Sequence, residues 1–482
     1  MRKTRSLFVL VLTVLLAVML AMSGCSSGTN KESASGSGDV KSGDGKESPS
    51  STSTPNKPIL GASLKYDPNQ EVNGGKQITL NVWVADQYDR FKSWADDYTQ
   101  IHPNVKLELV KSPWGDYWKK LPLSLQSGVG PDVFYQHPSY VLTMVDFMEP
   151  MPESVFPSNE IEADFTNIVK TQDGKLYGLP LAVTTSGIYY NKKMWAEAGL
   201  TETDIPKTWD QLIDAAKKLT KLDKKGNMTV MGFSANGEYH DMLNAMNFEK
   251  GNFLFDSSGT KVSLNNDTVK DALKFYKDLS SVHKVTEPRQ DSDEDEFGKG
   301  SAAMVYNYNW AGEYFNSTYP DIEWGYFALP TFDGATPPAY DKNMLEFTPG
   351  VNKVIDDTKK AVAWDFIKFI AADDTQVMKQ VKEASGIPAK KSLMNDPFVV
   401  DNPILKVQKD TIPRTLNYGF IPQSAINKIV TKMIEDVLFN AVPISDAVVT
   451  AETNINKSFE SAGLKFKSME RSYPFANEFK NQ

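Results

Sequence analysis

Four histidines, one cysteine and one acidic run are the residues in this 482-residue chain whose types could do chemistry. The histidines are His102, His137, His240 and His283. No two stand four apart and no His-Glu-x-x-His occurs, so the helical spacing that holds a catalytic zinc is absent. The lone cysteine, Cys25, cannot make a cysteine-based zinc site. Gly232-Phe233-Ser234-Ala235-Asn236 comes nearest to a nucleophile elbow but lacks the second glycine. No glycine-rich phosphate loop follows a strand. Asp291, Asp293 and Asp295 have calcium-loop spacing, yet Glu296 stands where that loop needs glycine and Ala302 where it needs glutamate. The run 291–296 is instead expected to be a solvated helix start, where acids suit the N-terminal dipole. Paired carboxylates for glycoside hydrolysis stay open, because two acids can meet in space whatever their spacing. No metal and no cofactor is expected.

Rings are what the chain offers in quantity. Aromatic residues make up 11%, with 9 Trp, 19 Tyr and 25 Phe, and the formal net charge is −9. That balance argues against nucleic acid, whose binding rests on phosphate neutralisation by Lys and Arg. It suits neutral ligands with apolar faces, of which sugars are the obvious class.

The elements that must position these residues begin with an export signal. Arg2, Lys3 and Arg5 precede an apolar run from Leu7 to Met22, then Ser23-Gly24-Cys25. A basic start, an apolar stretch and small residues mark a secretory signal peptide. The run falls short of the ~20 residues that span a bilayer. It resembles the bacterial lipoprotein signal, with Met22 where leucine is usual. The resemblance implies a signal peptide over 1–24 and lipidation of Cys25, which would hold the mature chain on a membrane. Residues 25–75, rich in Ser, Gly, Thr and Lys, read as a disordered tether, with structure starting near Lys76. No second cysteine exists, so no internal disulfide can form.

The remaining ~405 residues exceed what one core supports, so two lobes are expected. Ile78, Leu80, Val82 and Val84 alternate with polar residues as a strand does, Phe91, Trp94, Tyr98 and Ile101 recur at helical spacing, and Val105, Leu107 and Leu109 form a second strand. That βαβ order calls for a parallel sheet. Val133–Tyr135 follow as a short strand. Thr208 with Gln211 fits a capping box, and helices are expected at 267–283, 358–371, 424–440 and 445–460. The class is α/β. Trp83, Trp94, Trp195, Trp209 and Trp364 fall on predicted element faces and read as core.

Six segments, in order, carry a family resemblance: "LQSGVGPDVFY" (125–135), "GKLYGLPLAVTTSGIYYNKKMWAEAGL" (174–200), "PKTWDQLIDAAKKLT" (206–220), "FGKGSAAMVYNYNWAGEYF" (297–315), "TPGVNKVIDDTKKAVAWDFIKFIA" (348–371) and "SGIPAKKSL" (385–393). The chain resembles the solute-binding lipoproteins of bacterial ABC transporters, in the group of maltose- and oligosaccharide-binding proteins. "EFTPGVNK" stands where many relatives have Gly-Gly-Trp, so family contacts there are not carried over. The resemblance implies a two-lobed α/β fold with the ligand in a cleft between lobes and hinge crossings near 182–186, 345–350 and 386–392. Lobe 1 would comprise 76–184 plus 349–388, and lobe 2 185–348 plus 389–482. It implies no reaction, a carbohydrate ligand, ABC permease partners, a monomer, and a place on the outer face of a Gram-positive-type membrane.

Candidate contacts lie just past strand ends, where the cleft of an open α/β sheet forms. They are Asp86 after the first strand, Trp114 and Asp116 in "SPWGDYW", Gln136 after the Pro-Asp strand, and Thr184 at the first crossing. Glu238 and Tyr239 stand where the maltose-binding relatives use an acid and an aromatic ring. Trp310 matches a Trp that stacks on sugar in those relatives, and Tyr418 lies where they present another ring. Two other readings are kept. A surface glycosidase or polysaccharide lyase needs two carboxylates facing at about 5–10 Å, and the same receptor fold could take a non-sugar solute such as a polyamine.

Overall fold

The computed structural model describes residues 56–235, 238–287, 291–468 and 478–479. The signal segment 1–24, Cys25 and the tether as far as residue 55 lie outside the described residues.

Alternating apolar residues make the strand Ile78–Val84, whose Leu80, Val82 and Val84 point into a core. It pairs in parallel with Val105–Lys111 on one side and Val133–Phe134 on the other, so that Val82 stands opposite both Leu109 and Val133. Gly350–Val351 closes this four-stranded sheet antiparallel to Val133–Phe134. Helix Tyr88–Ile101 lays Phe91, Trp94 and Tyr98 on the sheet, and helix Asp357–Ala372 covers it with Phe366, Ile367 and Ile370. A second core gathers around the sheet of Met304–Tyr308, Ser186–Asn191 and Trp324–Phe327, together with Trp209, Met242, Phe248, Tyr276 and Ile434. The fold is α/β and two-lobed.

The chain passes from the first core to the second between Val183 and Ile188, returns between Ala339 and Leu345, and leaves again between Leu393 and Ile404. A three-stranded antiparallel sheet, with Pro180–Thr184 between Met344–Phe347 and Ile387–Pro388, ties these crossings together. Leu345, Phe347, Ala389 and Leu393 all belong to the first core, on the far side of the expected lobe boundaries.

Structure also begins ahead of Lys76. Leu64, Tyr66 and Val72 are buried in the first core. Asp164 accepts the backbone N–H of Leu64 at 2.8 Å, while the Tyr66 hydroxyl lies 2.5 Å from His102 Nε2 and donates to Asp365 at 3.0 Å. Composition hid this strap, because three apolar residues spread over a polar stretch suffice when a finished surface waits to receive them.

The expected helices run Asp267–Ser281, Asp357–Ala372, Gln423–Leu438 and Ile444–Ala462. The Thr208–Gln211 capping box is present, with both reciprocal bonds at 3.2 Å. The acidic run does start a helix, Asp293–Gly298, but only partly in solvent. Asp293 and Glu296 are buried, accepting the Ser234 hydroxyl at 3.1 and 2.7 Å. Tyr189 and Tyr190 are both buried, since their strand is the middle one of its sheet and is covered on both faces. Among the described residues no helix is long and apolar enough to cross a membrane.

Candidate binding site

Three parallel strands of the first lobe end at one sheet edge, which brings the loops after Val84, Lys111 and Phe134 together. Rings dominate there. Trp114 opens helix Trp114–Gln126 and meets Trp118 edge-on at 5.3 Å and His137 at 5.4 Å. Trp118 stacks flat on Tyr140, with centroids 4.0 Å apart and planes 4° from parallel. His137 caps helix Pro138–Met144 by accepting the Ser139 N–H on Nδ1 at 3.3 Å, so its proton belongs on Nε2. Burial, and then the charge of Lys342, push the imidazole pKa down to about 4, with Asp241 opposing. His137 is therefore neutral at physiological pH.

The second lobe presents charge instead. Asp241, in the first turn of helix Tyr239–Glu249, receives Lys342 Nζ at 2.6 Å and the Tyr308 hydroxyl at 2.7 Å, and all three are buried. Beside it Asp341 accepts from the Tyr306 hydroxyl at 2.9 Å and the Lys342 N–H at 2.7 Å, and from Ser186. Burial raises the Asp241 carboxyl, but Lys342 and then His240 outweigh it and hold it below the usual range. Asp341 has no such cation to itself, and burial lifts it to about 7. Glu238, whose side chain keeps 24% exposure, is pushed well up by its crowded surroundings and then by Asp241, Asp293 and Glu294. Glu294 is fixed by the Asn307 amide at 2.7 Å.

Glu238, His240 and Asp241 lie close enough to hold a cation, their ligand atoms all within 4.8 Å. Two facts oppose it. The Asp241 oxygen facing His240 at 3.6 Å already receives the Lys342 ammonium, and the trio stands at the positive end of a helix.

The sequence-derived candidates separate into groups. Trp114 is half-buried in the ring cluster, Glu238 is half-buried just before helix Tyr239–Glu249, and Asp86 is exposed after the first strand. Trp310 is half-buried at the start of helix Ala311–Thr318, directly after Asn309, whose amide crosses the hinge to Ser385 O at 2.9 Å. Thr184 is buried in the hinge sheet. The rest do other work. Asp116 points outward with a half-exposed carboxylate 3.8 Å from both Lys119 and Lys120, because the helix turns its ring residues inward. Gln136 is a hinge strut, donating to Tyr177 O at 2.9 Å and Thr348 O at 2.8 Å. Tyr239 packs 4.6 Å from Tyr276, and Tyr418 lies between Phe248 and Phe255 at 5.6 and 5.7 Å, both rings in the core. Sequence reasoning missed Trp118 and Tyr140 on the first lobe and Asp241, Lys342, Tyr308 and Glu294 on the second. "EYHD" and "YDKNM" carry no motif, and only the fold joins them.

A profile of bacterial extracellular solute-binding proteins matches residues 93–407. The chain belongs to that family. Its members bind substrates rather than transform them, and this solute-binding protein is likewise not an enzyme. It is 26% identical over 345 residues to the galactooligosaccharide-binding protein of Bacillus subtilis (strain 168), covering 68% of the chain and 76% of that relative. It is 27% identical over 341 residues to the diacetylchitobiose binding protein DasA of Streptomyces coelicolor, covering 66% and 75%. Among solved structures, the maltose/maltodextrin-binding domain from Bdellovibrio bacteriovorus bound to maltotriose superposes with a TM-score of 0.68 at 18% identity, over 80% of the chain and all of that domain. An ABC substrate-binding protein from Listeria monocytogenes in complex with cycloalternan gives 0.69 at 19% identity, over 81% of the chain and 100% of its own.

Proposed function

We propose that this solute-binding protein captures an oligosaccharide between its lobes and hands it intact to ABC permease subunits. It works as a monomer, held by acyl chains on Cys25 at the outer face of a Gram-positive-type membrane. The observation that carries the reading is an aromatic cluster, Trp114 with Trp118 and Tyr140, on one lobe and acids at Glu238 and Glu294 on the other, with His137 of the first feeling the charges of Lys342 and Asp241 of the second. A sugar has an apolar C–H face and a hydroxyl rim, and such a cleft answers both. The named relatives that bind galactooligosaccharide and diacetylchitobiose support it. Trp310, Trp114, Glu238, Asp86 and Thr184 touch ligand in this reading, with Tyr239, Gln136 and Tyr418 behind them as support. The lobes divide at the three crossings, with 56–184 and 343–393 in the first. Closure follows from the ligand's higher affinity for the closed form.

A thermal-shift panel of oligosaccharides on the purified chain, with spermidine as control, tests this. A ligand at ~100 times its Kd adds about 2.7 kcal/mol, a shift of several degrees. The expected result is a shift with one sugar class and that sugar recovered unchanged. Sugar breakdown would move the protein to the glycosidases, and a shift with spermidine alone to polyamine receptors. In the sugar case Trp310→Ala weakens binding by about 1–3 kcal/mol while the fold survives.

A further inference from the structure

Where the two cores meet, the fold leaves a cavity of about 830 Å³ whose lining shares no residue with the ring cluster or the Lys342–Asp241 pair. Met148 and Tyr177 line it from the first core and Phe466 from the second, while Leu142 packs against both. Each side is fixed. Phe466 meets Phe459 at 5.2 Å and Phe255 at 5.8 Å, and the Ser468 N–H donates to Gly259 O at 2.8 Å, which pins residues 465–468 to the second lobe. On the first lobe the Lys353 N–H donates to Phe147 O at 3.0 Å. The Met151 N–H donates to Leu176 O at 2.8 Å and so holds the loop that carries Lys175.

The rim of this cavity is basic. Lys170, Lys175, Lys353, Lys465 and Lys467 line it against two carboxylates, Asp146 and Asp173, on a chain whose formal net charge is −9. Three segments far apart in sequence supply these lysines, so no local basic run accounts for them. Lys175 pairs with Asp173 at 3.0 Å, and Lys170 comes only within 4.0 Å of Glu162. Lys353 Nζ donates at 2.6 Å to the Asp146 backbone carbonyl, which carries no charge. Lys465 and Lys467 have no acid partner among the described residues. Between them and the floor, Ser468 is 8% exposed and its buried hydroxyl has no hydrogen-bond partner. Gathered like charges repel, and a buried unpaired hydroxyl is unfavourable. An anion answers both, because it accepts charge-assisted bonds from ammonium groups and a bond from the hydroxyl.

We propose that this cavity is a second ligand site, for a small multivalent anion bearing phosphate or carboxylate groups. Lys175 and Lys353 grip it from the first lobe, and Lys465, Lys467 and Ser468 from the second. Lysines on both sides call for two or more anionic groups in one ligand, and a field of one sign raises the local concentration of such a ligand. An anion that reaches both lobes favours the arrangement that keeps its two sides together. The site is independent of the sugar reading, since none of Trp114, Glu238, Asp86, Thr184 and Trp310 lines it.

Calorimetric titration of the purified chain with triphosphate, citrate and orthophosphate, at one fixed ionic strength, tests this. The expected result is one triphosphate or one citrate per chain, with orthophosphate about tenfold weaker or more. Lys465→Gln with Lys467→Gln should weaken the better anion by about tenfold, and Lys175→Gln with Lys353→Gln by a similar factor. Ser468→Ala should cost about threefold. Lys119→Gln with Lys120→Gln removes the same charge from residues that do not line the cavity, and should change nothing. All these lysines are exposed, so the unfolding midpoint without ligand should hold in each variant. Tighter triphosphate names a phosphate chain as the ligand and tighter citrate a polycarboxylate, and either supports the site. Silence of the parent toward both overturns it. Equal loss in all three lysine pairs reduces the effect to net charge and also overturns it. Orthophosphate binding as tightly as the larger anions overturns the multivalent class. The sugar panel is untouched by any of these results.

Discussion

Trp114, Trp118, Tyr140 and His137 of one lobe and Asp241, Lys342, Tyr308 and Asp341 of the other are clusters held together in two different ways. The first holds itself up by ring contacts of 4.0–5.4 Å, each worth about 0.5–1.5 kcal/mol beyond burial. The second holds itself up by buried charge, the Lys342–Asp241 pair at 2.6 Å with a second carboxylate beside it. Rings need nothing from their neighbours but contact. Buried ions need each other, because desolvation costs several kcal/mol per ion and only a close partner offsets it. The aromatic cluster should therefore lose stability in small steps, and the charged cluster in one large one.

The sharpest way to break that contrast is Lys342→Met. It takes the close cation from buried Asp241 and leaves only the Tyr308 hydroxyl and the more distant His240 beside it, and we expect a loss of about 3–5 kcal/mol in urea unfolding at pH 7. Adding Asp241→Asn should return at least half of it, since the buried charge then disappears. A loss below ~1 kcal/mol for the single variant would mean that the pair lies in effective contact with water.

Next in size is a pH effect on the same cluster. Asp341 stands at about 7 in the folded protein against an ordinary 3.8. A raised acid favours the fold in its protonated form, so its contribution is complete below about 3.8 and is lost as pH rises through 7. Asp341→Asn keeps an acceptor for Tyr306 and Ser186 but cannot ionise. Relative to this variant, the wild type should lose about 2–4 kcal/mol between pH 4 and pH 8. Parallel stability curves across that range would show that the carboxylate keeps its charge at no cost.

The aromatic cluster was far easier to read from the sequence than the charged one, for a physical reason. Trp114 was named because it stands past a strand end, and the sheet that carries it follows from two strands visible by alternation and a short buried third. The hinge crossings were placed by the family resemblance and not by strand or helix periods, which carry no mark of where a chain changes lobe. Asp241 and Lys342 lie 101 residues apart, and neither stands in a pattern that local periodicity can detect. Gln136 and Tyr418 show the opposite failure. A polar residue or ring past a strand end can be taken up by the backbone carbonyls of Tyr177 and Thr348, or by the core at Phe248, and only tertiary packing decides which. The strap at Leu64 and Tyr66 was lost because composition averages over a stretch, whereas docking needs only two or three well-placed side chains.

The smallest effect sharpens the comparison most. Trp114 is half-buried and its indole meets Trp118, His137, Tyr135 and Tyr140 at 5.3–6.4 Å. Trp114→Ala should cost only about 1–2 kcal/mol in folding, because Trp118 and Tyr140 still stack on each other and close part of the gap. Trp114→Phe, which keeps a ring edge against Trp118, should recover about half of that. Both variants should weaken binding of the sugar found in the thermal-shift panel, alanine more than phenylalanine, because the cluster's half-buried ring face is lost or reduced. If Trp114→Ala instead cost as much as Lys342→Met, the ring cluster would be as cooperative as the ion network. The two clusters would then differ in chemistry but not in how they fail.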